Sequence, residues 1–371
     1  MRLTHVRLAD FRNYRELEIE PSAGLNVFVG ANAQGKSNLL EAVAMLGTGK
    51  SFRTSRDADV VRYGTAVASV AGEGILRAGT VRLACTVATA HGGTRKTYTL
   101  NGRPVRYSNF LGNLRVVTFV PADLQLAAGA PSQRRAFLNG ALSQEEPRYY
   151  RELARYRKTL QQKNALLRAD EPGDPELLDI YDRELVASGA QIVLARAHFV
   201  ATLAQAARAA HARFTRGAET LGVEYVPNVQ YEAATQQAIE AAFTDRLRQV
   251  AASERARKAA VAGPHRDDLL LTLDGHSLAV YGSQGQQRTA VLALKVAEYA
   301  VSRERAGEAP LLLLDDVLSE LDVDRADAFL AGVGDYEQAL VTATHVPNAL
   351  PPGARVRVVS DARIAAEGAA C

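Results

Sequence analysis

The chain has 371 residues, 39.9 kDa, 47% hydrophobic and 23% charged residues, and a formal net charge of +3. That length buries a full core unaided, and its two cysteines, Cys85 in an apolar run and Cys371 at the end, exclude a disulfide framework or cysteine-rich zinc fold and point to a reducing compartment. With no secretory leader and no run of eighteen apolar residues, a soluble, cytoplasmic protein with no membrane partner is expected, and the slight basic bias admits a polyanionic partner without requiring one.

Residues 3–8 and 17–20 are strand candidates around the polar, aromatic turn Asp10-Phe11-Arg12-Asn13-Tyr14. Residues 25–29 (LNVFV) suit a buried strand, and residues 38–46 (NLLEAVAML) carry apolar residues at helical spacing. Between them Gly30, Ala31, Asn32, Ala33, Gln34, Gly35, Lys36 and Ser37 complete the pattern GxxxxGK[ST]. Strand, glycine loop and helix start are the context a phosphate site requires. Glycines let successive N–H groups converge on the β- and γ-phosphates of ATP, and the helix N-terminus adds its positive end. Lys36 supplies a point charge, Ser37 a hydroxyl for Mg²⁺, and Asn38 continues the site into the helix.

Residues 47–64 are polar, basic and aperiodic, a loop containing Arg53 and Arg56. Residues 66–100 alternate short apolar stretches with glycines, an antiparallel sheet whose tight turn is Asn101-Gly102. Residues 116–120 form one further strand, stopped by Pro121. After Pro131 the composition turns helical, with apolar stripes at Leu153, Tyr156, Leu160 and Leu167, then Phe199, Leu203, Ala206, Ala210 and Phe214, then Ile239, Phe243, Leu247 and Val250. Breaks at 171–175 and 222–228 divide this part into helix groups, and its basic residues are expected on a solvated face. Strand character returns at 269–273 with an Asp274-Gly275 turn, followed by a long helix over 286–302.

Residues 311–314 are four leucines ending in Asp315 and Asp316, the form of a Walker B strand in the middle of a parallel sheet. Beside the phosphate loop, Asp315 is placed to hold Mg²⁺ and Asp316 to orient a water on the γ-phosphate, as the catalytic pair with Lys36. Ser283, Gln284, Gly285 and Gln286 precede the helix, with Ser283 in place to cap it.

In this order the motifs resemble the ABC-type ATPase heads of the SMC and RecF group, and within it the RecF family. The resemblance rests on FRNY at 11–14, GANAQGKSNLLEA, SFRT at 51–54, PADL at 121–124, RRAFL at 134–138, GPHRDD at 263–268, SQGQ at 283–286 and LLLLDD followed by SELD. It implies an α/β fold: an ABC-type head, a mixed sheet with a phosphate-loop core plus an antiparallel sheet, over residues 1–148 and 259–371, and an inserted, mainly α-helical lobe over 149–258. Helices of some thirty residues, at ~1.5 Å per residue, would reach about 45 Å, too short for an SMC arm. In such heads Ser283 to Gln286 act in trans as the signature motif, and Ser319 and Asp322 belong to the D-loop.

The resemblance further implies an ATP-dependent homodimer that binds duplex DNA near single-strand junctions without sequence specificity. It implies work with RecO and RecR, and indirectly RecA, and slow Mg²⁺-dependent hydrolysis used as a switch. Arg53 and Arg56 are candidates for a γ-phosphate arginine, Arg12 is a possible further site residue, Gln125 or Asp123 is a candidate for the Q-loop position, and His345 for the switch histidine. His265 and Arg266 are expected to be buried. The alternative, a transport ATPase subunit, normally has its phosphate loop and signature much closer together than Lys36 and Ser283 lie here.

Overall fold

The N-terminal hairpin is longer than its pattern indicates: β1 (Arg2–Phe11) pairs with β2 (Tyr14–Ile19) until Phe11 lies opposite Tyr14, leaving a turn of Arg12 and Asn13. The computed structural model describes residues 1–90, 92–169, 175–317, 336–346 and 350–365. They belong to two units, Met1–Leu124 with Lys295–Cys371, and Gln125–Leu294.

In the first unit β3 (Gly24–Val29) leads through the glycine loop into α1 (Lys36–Thr48). Then come β4 (Val67–Leu76), β5 (Gly79–Ala90), β6 (Gly93–Leu100), β7 (Arg103–Val105), α2 (Tyr107–Phe110) and β8 (Val116–Phe119). Six strands form an antiparallel sheet in the order β2-β1-β4-β5-β6-β7. Asn101 and Gly102 both take positive φ, 51° and 78°, as the tight turn requires.

The second unit takes in more than the 149–258 helical segment. It holds α3 (Gln125–Ala128), α4 (Pro131–Glu145), α5 (Pro147–Arg168), α6 (Pro175–Thr215), β9 (Leu221–Val226), α7 (Gln236–Arg257), β10 (Asp268–Leu273), β11 (His276–Ser277) and α8 (Leu278–Tyr281). The helical stripes are core positions: Leu153, Tyr156, Phe199, Leu203, Ile239, Phe243, Leu247 and Val250 are buried. Two expectations are corrected. The break read at 222–228 is largely the strand β9, whose Leu221 and Val223 face inward, and β10 joins β9 and β11 in a sheet of its own. At 41 residues α6 is longer than expected, about 60 Å at the standard rise. Among the described residues it alone is long and apolar enough to cross a bilayer, with half of its most apolar stretch buried inside the protein. Its inward residues Leu185, Ile192, Val193 and Phe199 are almost fully buried, as in a core helix.

The helix α9 (Gln284–Ala306) continues into the first unit, which closes with β12 (Leu311–Asp315), β13 (Gln338–Ala343), β14 (Arg355–Ser360) and β15 (Arg363–Ile364). The second sheet has the order β15-β14-β3-β13-β12-β8, parallel except for the β14–β15 pair. Every residue of β12 and β13 is buried, as expected of interior parallel strands covered on both faces. Leu39, Leu40, Val43 and Leu46 of α1 share one core with residues of both sheets, so the helix carrying Lys36 is held from two sides.

Candidate functional site

In a parallel sheet the carboxyl ends of the strands lie along one edge, where ligands of open α/β sheets bind. Here β3 delivers the glycine loop to that edge, β13 delivers Thr344 and His345, β12 delivers Asp315 and Asp316, and β8 leads into Asp123. Register makes the neighbours definite: Val29 lies opposite Ala343, and Thr342 opposite Asp315.

Two glycines of the loop are steric requirements. A Cβ on Gly30 would sit 2.3 Å from the Val359 carbonyl oxygen. One on Gly35, whose φ is 114°, would sit 2.9 Å from both the Asn13 amide and the Tyr14 hydroxyl. Those contacts explain the FRNY turn. Tyr14 Oη donates to Gly35 O at 3.1 Å and Asn13 Nδ2 to Gln34 O at 3.3 Å, while Asn38 Nδ2 donates to Asn13 Oδ1 at 2.7 Å. Burial pushes the Tyr14 phenol well above its ordinary pKa, which keeps it a donor. On the far side, Gln34 accepts from the backbone N–H groups of Asp361 and Ala362.

Lys36 is buried, and its Nζ donates to Gly30 O at 2.6 Å and Ala31 O at 2.8 Å. No carboxylate pairs with it among the described residues. Ser37 and Asn38 follow in the first turn of α1, half-buried. Glu41, one turn further, is fully buried and receives Arg12 in a two-pronged bond of 2.9 and 2.6 Å, plus the Ser51 hydroxyl. Arg12 also donates to Asp59 O at 2.7 Å, so it braces the helix and the SFRT loop. Arg56 pairs with Asp59, whereas Arg53 reaches Asn38 Oδ1 beside the loop. The arginine motif thus resolves into two braces and one neighbour of the phosphate loop.

Asp315, 7% exposed, accepts from the Thr342 hydroxyl at 2.8 Å, and the same hydroxyl accepts the Asp316 N–H at 2.9 Å. Asp316 takes a positive φ of 54°, turning the chain away from the strand. His345 is exposed, with Nδ1 3.1 Å from Thr344 Oγ1. Asp123 accepts the Val120 N–H at 2.8 Å, and burial raises its pKa against the opposing charge of Lys295. Gln125 is exposed at the start of α3 in the second unit. Also there, Ser283, Gln284 and Gly285 are exposed, and Ser283 Oγ accepts the Gln286 N–H at 3.3 Å while Gln286 Oε1 accepts the Ser283 N–H at 2.8 Å, a reciprocal cap. Ser319 and Asp322 lie outside the described residues.

The burial expected of Arg266 is corrected: it is exposed, and the next residue, Asp267, is buried instead. Asp267 accepts from Arg196 at 2.7 Å, from Tyr225, and from the Asn228 N–H at 2.8 Å. His265 is half-buried, with Nδ1 2.7 Å from the Tyr156 hydroxyl. Thr342 and Glu41 are contributors that sequence reasoning passed over, although Glu41 had a signal as the one charge in the run LLEAVAML.

The donors suit a nucleotide with Mg²⁺. Ser37 and Asp315 offer hard oxygens, and no group of three His, Cys, Asp or Glu side chains able to hold a metal occurs among the described residues. Two such oxygens suit an ion which takes one or two protein ligands and completes its shell from phosphates and water.

A family model described as the RecF/RecN/SMC N terminal domain matches residues 2–350. The chain is 40% identical over 352 residues to the DNA replication and repair protein RecF of Acaryochloris marina, which covers 93% of both chains. It is 40% identical over 347 residues to that of Listeria innocua, again 93% of each. A solved structure of the recombination mediator protein RecF-ATP in the RecFOR pathway matches with a TM-score of 0.90 at 30% identity, covering 98% of this chain and 97% of that one. The Smc head domain of Pyrococcus furiosus shares the fold, with a TM-score of 0.54 at 15% identity over 98% of this chain and 95% of that one.

Proposed function

This chain belongs to the RecF family, and on that premise we propose that it is an ATP-dependent, cytoplasmic DNA clamp of replication and repair. ATP joins two copies, the joined pair binds duplex DNA near single-strand junctions through phosphates rather than bases, and RecO and RecR act with it to load RecA. Slow hydrolysis releases the pair. The observation that carries the reading is Lys36, a buried ammonium at the start of α1 bonded, among the described residues, only to carbonyl oxygens of its own loop.

The residues divide the work. The amides of residues 30–37 and the N-terminus of α1 receive the β- and γ-phosphates, and Lys36 turns from its two carbonyls to phosphate oxygens. Ser37 and Asp315 would hold Mg²⁺, which would supply charge neutralisation to the phosphates. Thr342 orients Asp315 and fixes the backbone of Asp316, the group that positions the attacking water. Asn38 and Arg53 line the loop, His345 stands at the end of the neighbouring strand, and Asp123 rather than Gln125 follows the edge strand β8. The exposed turn of Ser283 to Gln286 closes the site of the partner copy, with Ser319 and Asp322 as its D-loop residues. A transporter subunit has no support among relatives that match 93% of the chain and are repair proteins.

Sedimentation with ATP and Mg²⁺ tests this. Wild type is expected to pass from monomer to dimer, and Ser283→Arg to bind ATP yet stay monomeric. A wild-type monomer at saturating ATP overturns the clamp.

A further inference from the structure

The structure assigns Glu219, in the loop between α6 and β9, as a positioning residue for the signature turn, and we propose that the joined ATP site depends on it. This rests on the reading of Ser283 to Gln286 as the trans half of that site.

The loop is pinned before Glu219 acts. Thr220 N–H donates to Asp274 Oδ1 at 2.9 Å, and Asp274 N–H donates back to Thr220 O at 3.0 Å, which ties the start of β9 to the β10–β11 turn. From there Glu219 Oε1 accepts the Gln286 Nε2 at 2.7 Å. Gln286 is the residue whose other amide atom, Oε1, accepts the Ser283 N–H at 2.8 Å. A glutamine amide presents oxygen on one side and NH2 on the other, and only its partners decide which faces where. A carboxylate is an acceptor only. It therefore forces the NH2 toward itself and the oxygen toward Ser283, the orientation that closes the cap.

Next to Glu219 lies His211, fully buried, with its Nε2 4.0 Å from Glu219 Oε2. Burial lowers the His211 pKa, which favours the neutral ring beside the carboxylate. Asp274, the other charged group of the turn, has its Oδ1 on the Thr220 amide. All these residues lie within the second unit, so the helical part of the chain sets the geometry of a turn that serves nucleotide on another copy.

The test compares Glu219→Ala, Glu219→Gln and Glu219→Lys in the full chain, reading monomer affinity for a fluorescent ATP analogue, ATP-driven dimerisation, and kcat and KM separately. Glu219→Ala is expected to leave monomer affinity unchanged while weakening dimerisation about tenfold, the loss of one charge-assisted hydrogen bond, with kcat falling and KM little moved. Glu219→Gln, still able to accept, recovers most of this. Glu219→Lys, a donor that turns the Gln286 amide round, is worse than alanine. Gln286→Leu matches Glu219→Ala, and the two together are less than additive. Because Glu219 is 26% exposed, a urea midpoint near wild type is expected for each variant. Wild-type dimerisation and turnover in Glu219→Ala and Glu219→Lys, or additive losses in the double variant, overturn the assignment even if Ser283→Arg stays monomeric. Normal dimerisation by Ser283→Arg removes the shared site itself, and this role with it.

Discussion

Two buried lysines, one in each unit, show how the same side chain serves opposite ends. Lys163 on α5 is 2% exposed, with its Nζ 2.6 Å from Asp182 Oδ1 and 2.6 Å from Glu254 Oε2. Glu254 uses its other oxygen to accept the Val261 N–H at 2.8 Å, so that charge is consumed within the fold, joining α5, α6 and α7. Lys36 is nearly as buried, but its partners are two carbonyls, which neutralise nothing. A buried cation with no anion beside it among the described residues is costly, and the first unit carries that cost at the end of a sheet where an anionic ligand can offset it. The difference separates a charge that holds helices together from one that, in the proposed function, answers phosphate.

The comparison breaks most sharply at Lys163. Lys163→Met strands two carboxylates and is expected to destabilise the protein by about 3–5 kcal/mol, read from the urea midpoint. Lys36→Met strands none, so stability should stay within about 1 kcal/mol of wild type while ATP turnover falls roughly 10²–10³-fold. If both variants destabilise equally, Lys36 is structural and the contrast fails.

A smaller effect lies in pH. Burial, then repulsion from Arg266 and Arg135, takes the His265 pKa from 6.5 to about 4. Between those values the unfolded chain holds a proton that the folded one lacks. The contribution is therefore complete above pH 6.5 and lost as pH falls, by about 2 kcal/mol at pH 5. Urea titrations at pH 7 and 5 should show that loss in wild type and a flatter dependence in His265→Gln. Smallest is Thr342→Val, which removes the one hydroxyl shared by Asp315 and Asp316. Stability should drop by about 1 kcal/mol and the Mg²⁺ concentration for half-maximal turnover should rise several-fold. An unchanged Mg²⁺ requirement would remove Thr342 from the site.

Much of the candidate site was legible because its parts are consecutive. The loop at 30–37, its strand and its helix are each encoded by neighbours in the chain, and the all-leucine strand before Asp315 announces a sheet covered on both faces. The Ser283–Gln286 cap was legible for the same reason, its partners being three residues apart. The strand at Leu221–Val226 was hidden among helices by Gly222 inside it and Pro227 just after it, although Leu221, Val223 and Tyr225 alternate as a strand should.

By itself, then, the amino-acid order determined the phosphate loop, the acidic strand end, the helical stripes and the family these compose. What only the tertiary structure decided is which polar group answers which: Arg12 with Glu41, Arg196 with Asp267, Lys163 with Glu254, Thr342 with Asp315, Glu219 with Gln286. These partners stand 27 to 91 residues apart. A hydrophobic period registers in any short window, whereas an ion pair between distant residues leaves no local pattern and exists only once the packing of strands and helices has brought its two ends within about 3 Å.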